Sequence, residues 1–113
     1  MFEAEKRELI QAGMQLDRYG LIALSGGNIS GRAGENFLVT PSGMAYEELV
    51  EADIPLVDAS GRVLEGERRP SVDTEALLYI YAHMPGVNAI IHTHQAYATA
   101  VGLVADELPV AVT

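Results

Sequence analysis

The middle of the chain, residues 20 to 66, is divided by turn-forming residues into apolar segments that are too short for typical helices. Short strands separated by tight turns pair with their sequence neighbours, so this spacing favours hairpins over a series of βαβ units. The turns are predicted where Gly, Pro, Asn, Asp and Ser cluster, at Ser25–Asn28, Ala33–Asn36, Pro41–Gly43 and Asp58–Gly61.

Helical patterns flank these strands. Apolar residues recur at helical spacing from Glu3 to Tyr19, and a second helix is predicted from Ser71, a residue suited to an N-cap, to His83. Hairpin strands between helices predict an α/β fold, a three-layer αβα domain with a mostly antiparallel or mixed sheet. The later elements are predicted as a strand at Val87–Thr93, a helix at Tyr97–Val104 and an extended piece at Leu108–Val112.

The length of 113 residues corresponds to one ordinary domain, so residues 1–113 are predicted to form a single unit. The last predicted element is an extended piece that stops at Thr113 without a closing helix or polar tail. We therefore expect the domain to be incomplete at its C-terminus, with this chain as its N-terminal half.

The charge balance and the apolar pattern disfavour two classes of partner, nucleic acids and membranes. The net charge is -9 with only seven Lys and Arg residues, which disfavours a nucleic-acid partner, because phosphodiester binding needs clustered positive charge. No apolar run approaches the length of a membrane span, and the first residues lack the pattern of a signal peptide. Together with the absence of cysteine, these features predict a cytoplasmic protein with no membrane partner.

The most specific chemical pattern is His92-Thr93-His94, which follows an apolar run. Side chains alternate along a strand, so His92 and His94 point to the same face with Cα atoms about 6.5 Å apart. Two imidazoles at this spacing can bind one zinc ion, although two histidines at a strand end are also common without a metal. Asp73 and Glu75, in the first turn of the preceding helix, are candidates for a further ligand or a base; acids there also stabilise a helix dipole. His83, late in that helix, fits a dipole partner better than a ligand.

Three further segments combine small polar residues with a flexible backbone: Gly26-Gly27-Asn28, Thr40-Pro41-Ser42-Gly43 and Pro70-Ser71-Val72. Each can present backbone N–H groups and hydroxyls to an oxyanion, and Ser71 adds the positive end of a helix dipole. Taken singly, each is more often a simple turn or cap. Together with the histidine pair, they indicate a phosphorylated ligand beside a metal.

These motifs, in this order, resemble the class II aldolase and adducin family. The resemblance rests on four segments and covers essentially the whole chain: Ser25–Ser30, Leu38–Gly43, Pro70–Thr74 and Ile91–His94. It implies a zinc-dependent lyase that cleaves a phosphorylated ketose, such as fuculose 1-phosphate, into dihydroxyacetone phosphate and an aldehyde through a metal-stabilised ene-diolate. It also implies a homotetramer.

The resemblance carries roles over to individual residues. It implies that His92 and His94 bind Zn²⁺ and that Asp73 is the catalytic base. It implies that the substrate phosphate is held by three pairs of residues, which are Gly27 and Asn28, Ser42 and Gly43, and Ser71 and Val72.

The chain departs from the family pattern at three points. Val72 replaces the second serine of the phosphate-binding pair, so only its N–H is available. Asp73 stands where the fuculose enzyme has a glutamate, which is closer to the L-ribulose-5-phosphate 4-epimerase branch. No histidine follows His94 to serve as the third zinc ligand. An epimerase-like enzyme and a non-catalytic adducin-like assembly module therefore remain alternatives, and the sugar is not specified.

Overall fold

The computed structural model describes residues 1–22, 26–94 and 96–107, with the side chains of 95–99 outside the description. The predicted extended piece at Leu108–Val112 and Ser25 of the first turn lie outside the described residues. The helices are α1 (Glu3–Arg18), α2 (Thr74–His83) and α3 (Ala96–Val104). The strands are β1 (Asn28–Ala33), β2 (Asn36–Val39), β3 (Leu56–Val57), β4 (Val63–Glu65) and β5 (Ala89–His92).

The five described strands form one sheet in the order β4-β3-β2-β1-β5, and each described pair is antiparallel. The predicted hairpin is present, with Ser30 opposite Val39 and Ala33 opposite Asn36. β5 returns to pair with β1 from the other side, which brings the end of β5 beside the start of β1. The sheet is thus antiparallel where the sequence left a mixed sheet open.

Consecutive residues of β2 bury their side chains on opposite faces of the sheet. Leu38 packs with Leu9 and Ile10 of α1, whereas Phe37 and Val39 pack with the buried side of α2. One helix therefore covers each face, and the predicted three-layer αβα arrangement is confirmed.

Gly13 lies in the middle of α1, where a glycine costs about 0.5–1 kcal/mol relative to alanine. A Cβ atom at this position would overlap the ring of Tyr46, which is buried in the short 3₁₀ turn at Tyr46–Glu48. The missing side chain therefore lets the helix and this turn pack in close contact. A second 3₁₀ turn follows at Glu51–Asp53.

Arg32 ties β1 to the end of α2. Its guanidinium donates hydrogen bonds to the carbonyl oxygens of Val87 (2.7 Å), Tyr81 (2.7 Å) and Met84 (3.3 Å). It also lies 4.9 Å from the centre of the Tyr81 ring and 5.5 Å from that of Phe37. A cation at a helix C-terminus interacts favourably with the helix dipole and satisfies carbonyls that lack helical partners.

Two predictions about local structure are wrong. α2 begins at Thr74 with Asp73, not Ser71, as its N-cap, because Ser71, Val72 and Asp73 form a turn in which the Thr74 N–H donates to the Ser71 carbonyl oxygen (3.1 Å). The strand predicted at Val87–Thr93 is limited to Ala89–His92, which lies at the edge of the described sheet, with Ile91 55% exposed. None of the helices in the described part of the chain is both long and apolar enough to cross a membrane.

Candidate functional site

His92 is the last residue of β5 and lies opposite Asn28, the first residue of β1. His94 follows two residues later, and its ring centre is 4.8 Å from that of His92, with the ring planes at 62°. The two imidazoles are thus neighbours, as the alternation of side chains along the chain predicts. His92 is partly buried and His94 is exposed.

Asp73 lies at the N-terminus of α2 and reaches across to both strand ends. Its Oδ2 atom is 3.0 Å from Nδ1 of His92 and 2.7 Å from Nδ2 of Asn28. An ionised carboxylate only accepts hydrogen bonds, so the arrangement is satisfied when the Asn28 amide and Nδ1–H of His92 both donate to the same oxygen. The lone pair of the His92 ring is then on Nε2.

Asn28 is the buried member of this group, with only 2% of its surface exposed. Besides its bond to Asp73, its Nδ2 lies 3.2 Å from Nδ1 of His92. Its other side-chain atom, Oδ1, is buried and has no hydrogen-bond partner among the described residues. Buried polar atoms are normally satisfied, so this oxygen is a candidate acceptor for a ligand donor.

Gly27 precedes Asn28 with φ at +83°, a conformation that favours glycine. A Cβ atom here would collide with the carbonyl oxygen of His92. The glycine therefore permits the close approach of β1 and the end of β5 that brings Asn28 to His92. This is a structural reason for Gly27 apart from its predicted contact with phosphate.

The two predicted phosphate turns at Thr40–Gly43 and Pro70–Val72 lie side by side. Pro41 pairs with Pro70, the Ser71 N–H donates to the Thr40 carbonyl oxygen (3.0 Å) and the Ser42 N–H donates to the Arg69 carbonyl oxygen (2.9 Å). Both serine N–H groups are therefore engaged within the protein. The groups left for an anion are the serine hydroxyls and the N–H groups of the residues that follow them.

Those following residues are Gly43 and Val72. Gly43 has φ at +75° with open space around it, and Val72 is 81% exposed. The Ser71 hydroxyl accepts a hydrogen bond from the Asp73 N–H (3.2 Å), which connects the phosphate turns to the carboxylate beside His92. All three predicted features, the turns, the acid and the histidine pair, thus belong to one contiguous region.

The buried polar residues beneath the site were not predicted from the sequence. The Thr40 hydroxyl accepts the Ile29 N–H (3.1 Å), and the Ser30 hydroxyl is 2.8 Å from the phenol oxygen of Tyr81. Burial raises the pKa of Tyr81 above its ordinary value, and the hydrogen bond to Ser30 opposes this effect. Ser30 and Thr40 belong to the sequence motifs Ser25–Ser30 and Leu38–Gly43. Only the structure shows that their side chains are buried.

The other titratable candidates have simpler roles. His83 lies in the last turn of α2, where its Nδ1 is 2.9 Å from the Tyr79 carbonyl oxygen and its ring stacks on Tyr79 at 4.1 Å. This position matches the predicted dipole partner. Glu75 is exposed in the first turn of α2, and the structure gives it no hydrogen bond with the site residues.

The donor atoms present fit part of a zinc site. The imidazoles of His92 and His94 are in contact, and Asp73 lies within hydrogen-bonding distance of Nδ1 of His92. Zinc-binding histidines commonly have such an acceptor on the nitrogen that does not bind the metal. Among the described residues, no group of three or more His, Cys, Asp or Glu side chains is arranged to hold a metal ion. A zinc ion at His92 and His94 would therefore need ligands from outside this set.

Comparison with known proteins identifies the family. Residues 7–113 match the model of the class II aldolase and adducin N-terminal domain. The chain belongs to this family. The resemblance noted from the four sequence motifs is thereby confirmed.

Solved structures of class II aldolases and their relatives share this fold. An L-fuculose 1-phosphate aldolase is 39% identical with a TM-score of 0.81, over 85% of this chain and 46% of its own. YgbL from Klebsiella pneumoniae is 32% identical (TM-score 0.81; 89% and 49% covered), and L-fuculose-1-phosphate aldolase from Thermus thermophilus is 32% identical (TM-score 0.71; 84% and 47% covered). The chain spans about half the length of these structures.

Proposed function

We propose that the protein containing this chain is a zinc-dependent aldolase that cleaves a phosphorylated ketose of the fuculose-1-phosphate type into dihydroxyacetone phosphate and an aldehyde. The observation that carries the proposal is the contact of Asp73 with His92, directly beside the two serine turns. The 39% identity to an L-fuculose 1-phosphate aldolase supports the choice of substrate.

The residues of this chain have separate tasks in the proposed reaction. The hydroxyls of Ser42 and Ser71, with the N–H groups of Gly43 and Val72, bind the phosphate and fix the position of the substrate carbon chain. We expect Gly27 to act here mainly by letting β1 approach β5, because any Cβ atom at this position would collide with the His92 carbonyl oxygen.

Asp73 is the residue that we assign to proton transfer. Its Oδ2 is occupied by Asn28 and His92, whereas its Oδ1 has no hydrogen bond with the other described residues. Oδ1 is therefore the atom that takes the substrate proton and returns it. The unpartnered Oδ1 of Asn28 lies in the same cluster and can accept a hydrogen bond from a substrate hydroxyl.

His92 and His94 would hold the zinc ion. When bound, zinc supplies a Lewis acid that stabilises the negative charge developing on the substrate oxygens. We propose that the remaining ligand comes from the part of the enzyme outside this chain. The homotetramer and the cytoplasmic location implied above stay predictions, and the first is tested by the molar mass of the full-length protein in solution.

An epimerase acting on a pentulose 5-phosphate is the second candidate, and Asp73 is the observation that favours it, since the resemblance gives fuculose enzymes a glutamate there. Both reactions break the same kind of C–C bond, so zinc and phosphate sites alone do not separate them.

The deciding experiment uses the full-length protein. Zinc content is measured by atomic absorption, cleavage of ketose 1-phosphates by coupled detection of dihydroxyacetone phosphate, and epimerisation of pentulose 5-phosphates by product analysis. Zinc with cleavage supports the aldolase, and zinc with epimerisation alone supports the second candidate. A folded protein that holds no zinc and turns over neither substrate would overturn both and favour the adducin-like assembly module.

A further inference from the structure

We infer that Thr40 is a positioning residue for the phosphate site: its buried hydroxyl replaces a backbone acceptor for Ile29, which frees the Thr40 carbonyl to hold Ser71 and fixes the three phosphate-binding segments relative to one another. The inference deepens the proposed function and rests on it for the phosphate ligand. It concerns the framework behind the phosphate site and is independent of the metal and of the proton-transfer step.

The backbone pairing at Thr40 is unusual. Thr40 follows the last residue of β2 and faces Ile29 of β1, one step beyond the paired residues Ser30 and Val39. Two residues that face each other in this way in an antiparallel ladder exchange both backbone hydrogen bonds. One of these bonds is made by the Thr40 N–H, which donates to the Ile29 carbonyl oxygen (3.0 Å). The Ile29 N–H donates instead to the Thr40 hydroxyl (3.1 Å), so a side-chain oxygen takes the place of the backbone carbonyl.

This replacement gives the Thr40 carbonyl a different partner. Its oxygen accepts the Ser71 N–H (3.0 Å) from the turn that precedes α2. Ile29 directly follows Asn28, and Ser42 lies two residues after Thr40 along the chain. Thr40 therefore connects the three segments to which we assign the phosphate, which are Gly27-Asn28, Ser42-Gly43 and Ser71-Val72.

The Thr40 side chain acts through these neighbours and not by contact with a ligand. Only 2% of the residue is exposed, and its hydroxyl is engaged by the Ile29 N–H and by a hydrogen bond with Tyr46. Ile29 is equally buried, so loss of the hydroxyl has two possible results. Either the Ile29 N–H is left unpaired, or the Thr40 carbonyl turns back to Ile29 and releases Ser71. In both cases the Ser71 turn and the start of β1 lose their common point of attachment.

The test compares Thr40→Val with Thr40→Ser in the full-length protein. Valine has nearly the shape of threonine but cannot accept the Ile29 N–H, whereas serine keeps the hydroxyl. Binding of inorganic phosphate is measured by calorimetry on zinc-free protein, so that a metal does not contribute to the affinity. We expect Thr40→Val to weaken phosphate binding about tenfold or more, the equivalent of one hydrogen bond to a charged group. Thr40→Ser should stay within about twofold of the wild type.

Steady-state kinetics and a stability control separate positioning from a general loss of stability. In the zinc-loaded enzyme, Thr40→Val should raise the KM for the sugar phosphate more than it lowers kcat, because the phosphate is not part of the bond that breaks. The control Ile10→Val removes one methyl group from the core beside α1 and should lower the urea midpoint without changing phosphate affinity. An equal loss of phosphate affinity in Thr40→Val and Ile10→Val would overturn the inference. So would a wild-type protein that binds no inorganic phosphate.

Amide hydrogen exchange of the wild type decides the question if Thr40→Val does not fold. Saturating inorganic phosphate should slow the exchange of the Ile29 and Ser71 N–H groups by the same factor, because Thr40 joins them and they open together. Exchange that slows at Ser71 alone would contradict the inference.

The inference and the proposed function fail separately. Phosphate binding that responds to the variants as expected, in a full-length protein that cleaves and epimerises no sugar phosphate, would refute the function alone. An active enzyme whose KM and phosphate affinity are the same in Thr40→Val and in the wild type would refute the positioning role alone.

Discussion

The contact between the start of β1 and the end of β5 makes a sharp prediction about Gly27→Ala. The backbone of Gly27 has φ at +83°, and an added Cβ would collide with the His92 carbonyl oxygen and approach the Ile22 side chain to 3.3 Å. The collision is with backbone and cannot be relieved by a change of rotamer. The end of β5 must therefore move away from β1 at the position of the candidate site.

The magnitude follows from two contributions. An L-residue in the left-handed region costs about 1–2 kcal/mol, and forced overpacking typically adds about 1–3 kcal/mol. We therefore expect Gly27→Ala to lower the free energy of unfolding by about 2–5 kcal/mol. The matched control is Gly20→Ala, because Gly20 has φ at +69° with nothing within 4 Å of its Cβ position and pays only the first contribution.

The assay is urea denaturation of the full-length variants, followed by circular dichroism, with zinc affinity as a second readout. Gly27→Ala should be less stable than Gly20→Ala by about 1–3 kcal/mol at an unchanged m-value, and only Gly27→Ala should bind zinc more weakly. Equal stability losses in the two variants, or an unchanged zinc affinity in Gly27→Ala, would refute the argument that glycine is needed for the β1–β5 contact.

Three further predictions concern other parts of the structure. Arg32→Lys should lower the free energy of unfolding, measured by urea denaturation, by about 2–3 kcal/mol, because a lysine cannot donate to three carbonyl oxygens at once. The control Arg62→Lys, at an exposed ion pair, should lower it by less than about 0.5 kcal/mol. Similar losses in the two variants would contradict the role of Arg32 at the end of α2. Tyr81→Phe leaves the buried Ser30 hydroxyl unpaired and should cost about 1–3 kcal/mol at neutral pH. Burial raises the pKa of Tyr81, so the contribution of Tyr81 to stability is fully present below the ordinary pKa of about 10 and is lost as pH rises through the raised pKa. The stability of Tyr81→Phe should therefore decline less steeply at alkaline pH than that of the wild type. An equally steep decline in the two proteins would argue against this role of Tyr81. Val72→Ser should change stability little, because the side chain is 81% exposed. It should lower the KM for the sugar phosphate, because it adds a hydroxyl beside the phosphate turns. An unchanged KM would place the phosphate elsewhere.

Local patterns predicted the elements well where one signal dominated. The apolar spacing of α1 and the glycine at the β1–β2 turn were sufficient, because both elements depend on residues close in sequence. The start of α2 was predicted at Ser71 because a serine after a proline is a common cap signal. The structure instead uses the Ser71 hydroxyl to accept the Asp73 N–H, a local turn that competes with capping.

The candidate site was predictable as a set of residue types but not as a set of contacts. His92 and His94 were paired correctly by the alternation along an extended chain, which needs no tertiary information. The bond between Asn28 and Asp73 joins residues 45 apart and depends on the β1–β5 register together with the position of α2. No periodicity in one sequence specifies that combination, so Asn28 was assigned to the phosphate alone.

The length of the acidic side chain at position 73 follows from these contacts. The aspartate already spans the distance to His92 and Asn28, so a glutamate, longer by one C–C bond of about 1.5 Å, cannot keep its carboxylate at the same point without bending back. We expect Asp73→Glu to weaken the hydrogen bond to the buried Asn28 amide and to lower the free energy of unfolding by about 1–3 kcal/mol, although the acid is retained. A glutamate variant as stable as the wild type in urea denaturation would contradict this. The substitution therefore separates two properties of the side chain. The charged, proton-accepting carboxylate is conserved, whereas the side-chain length that places it beside His92 and Asn28 is not.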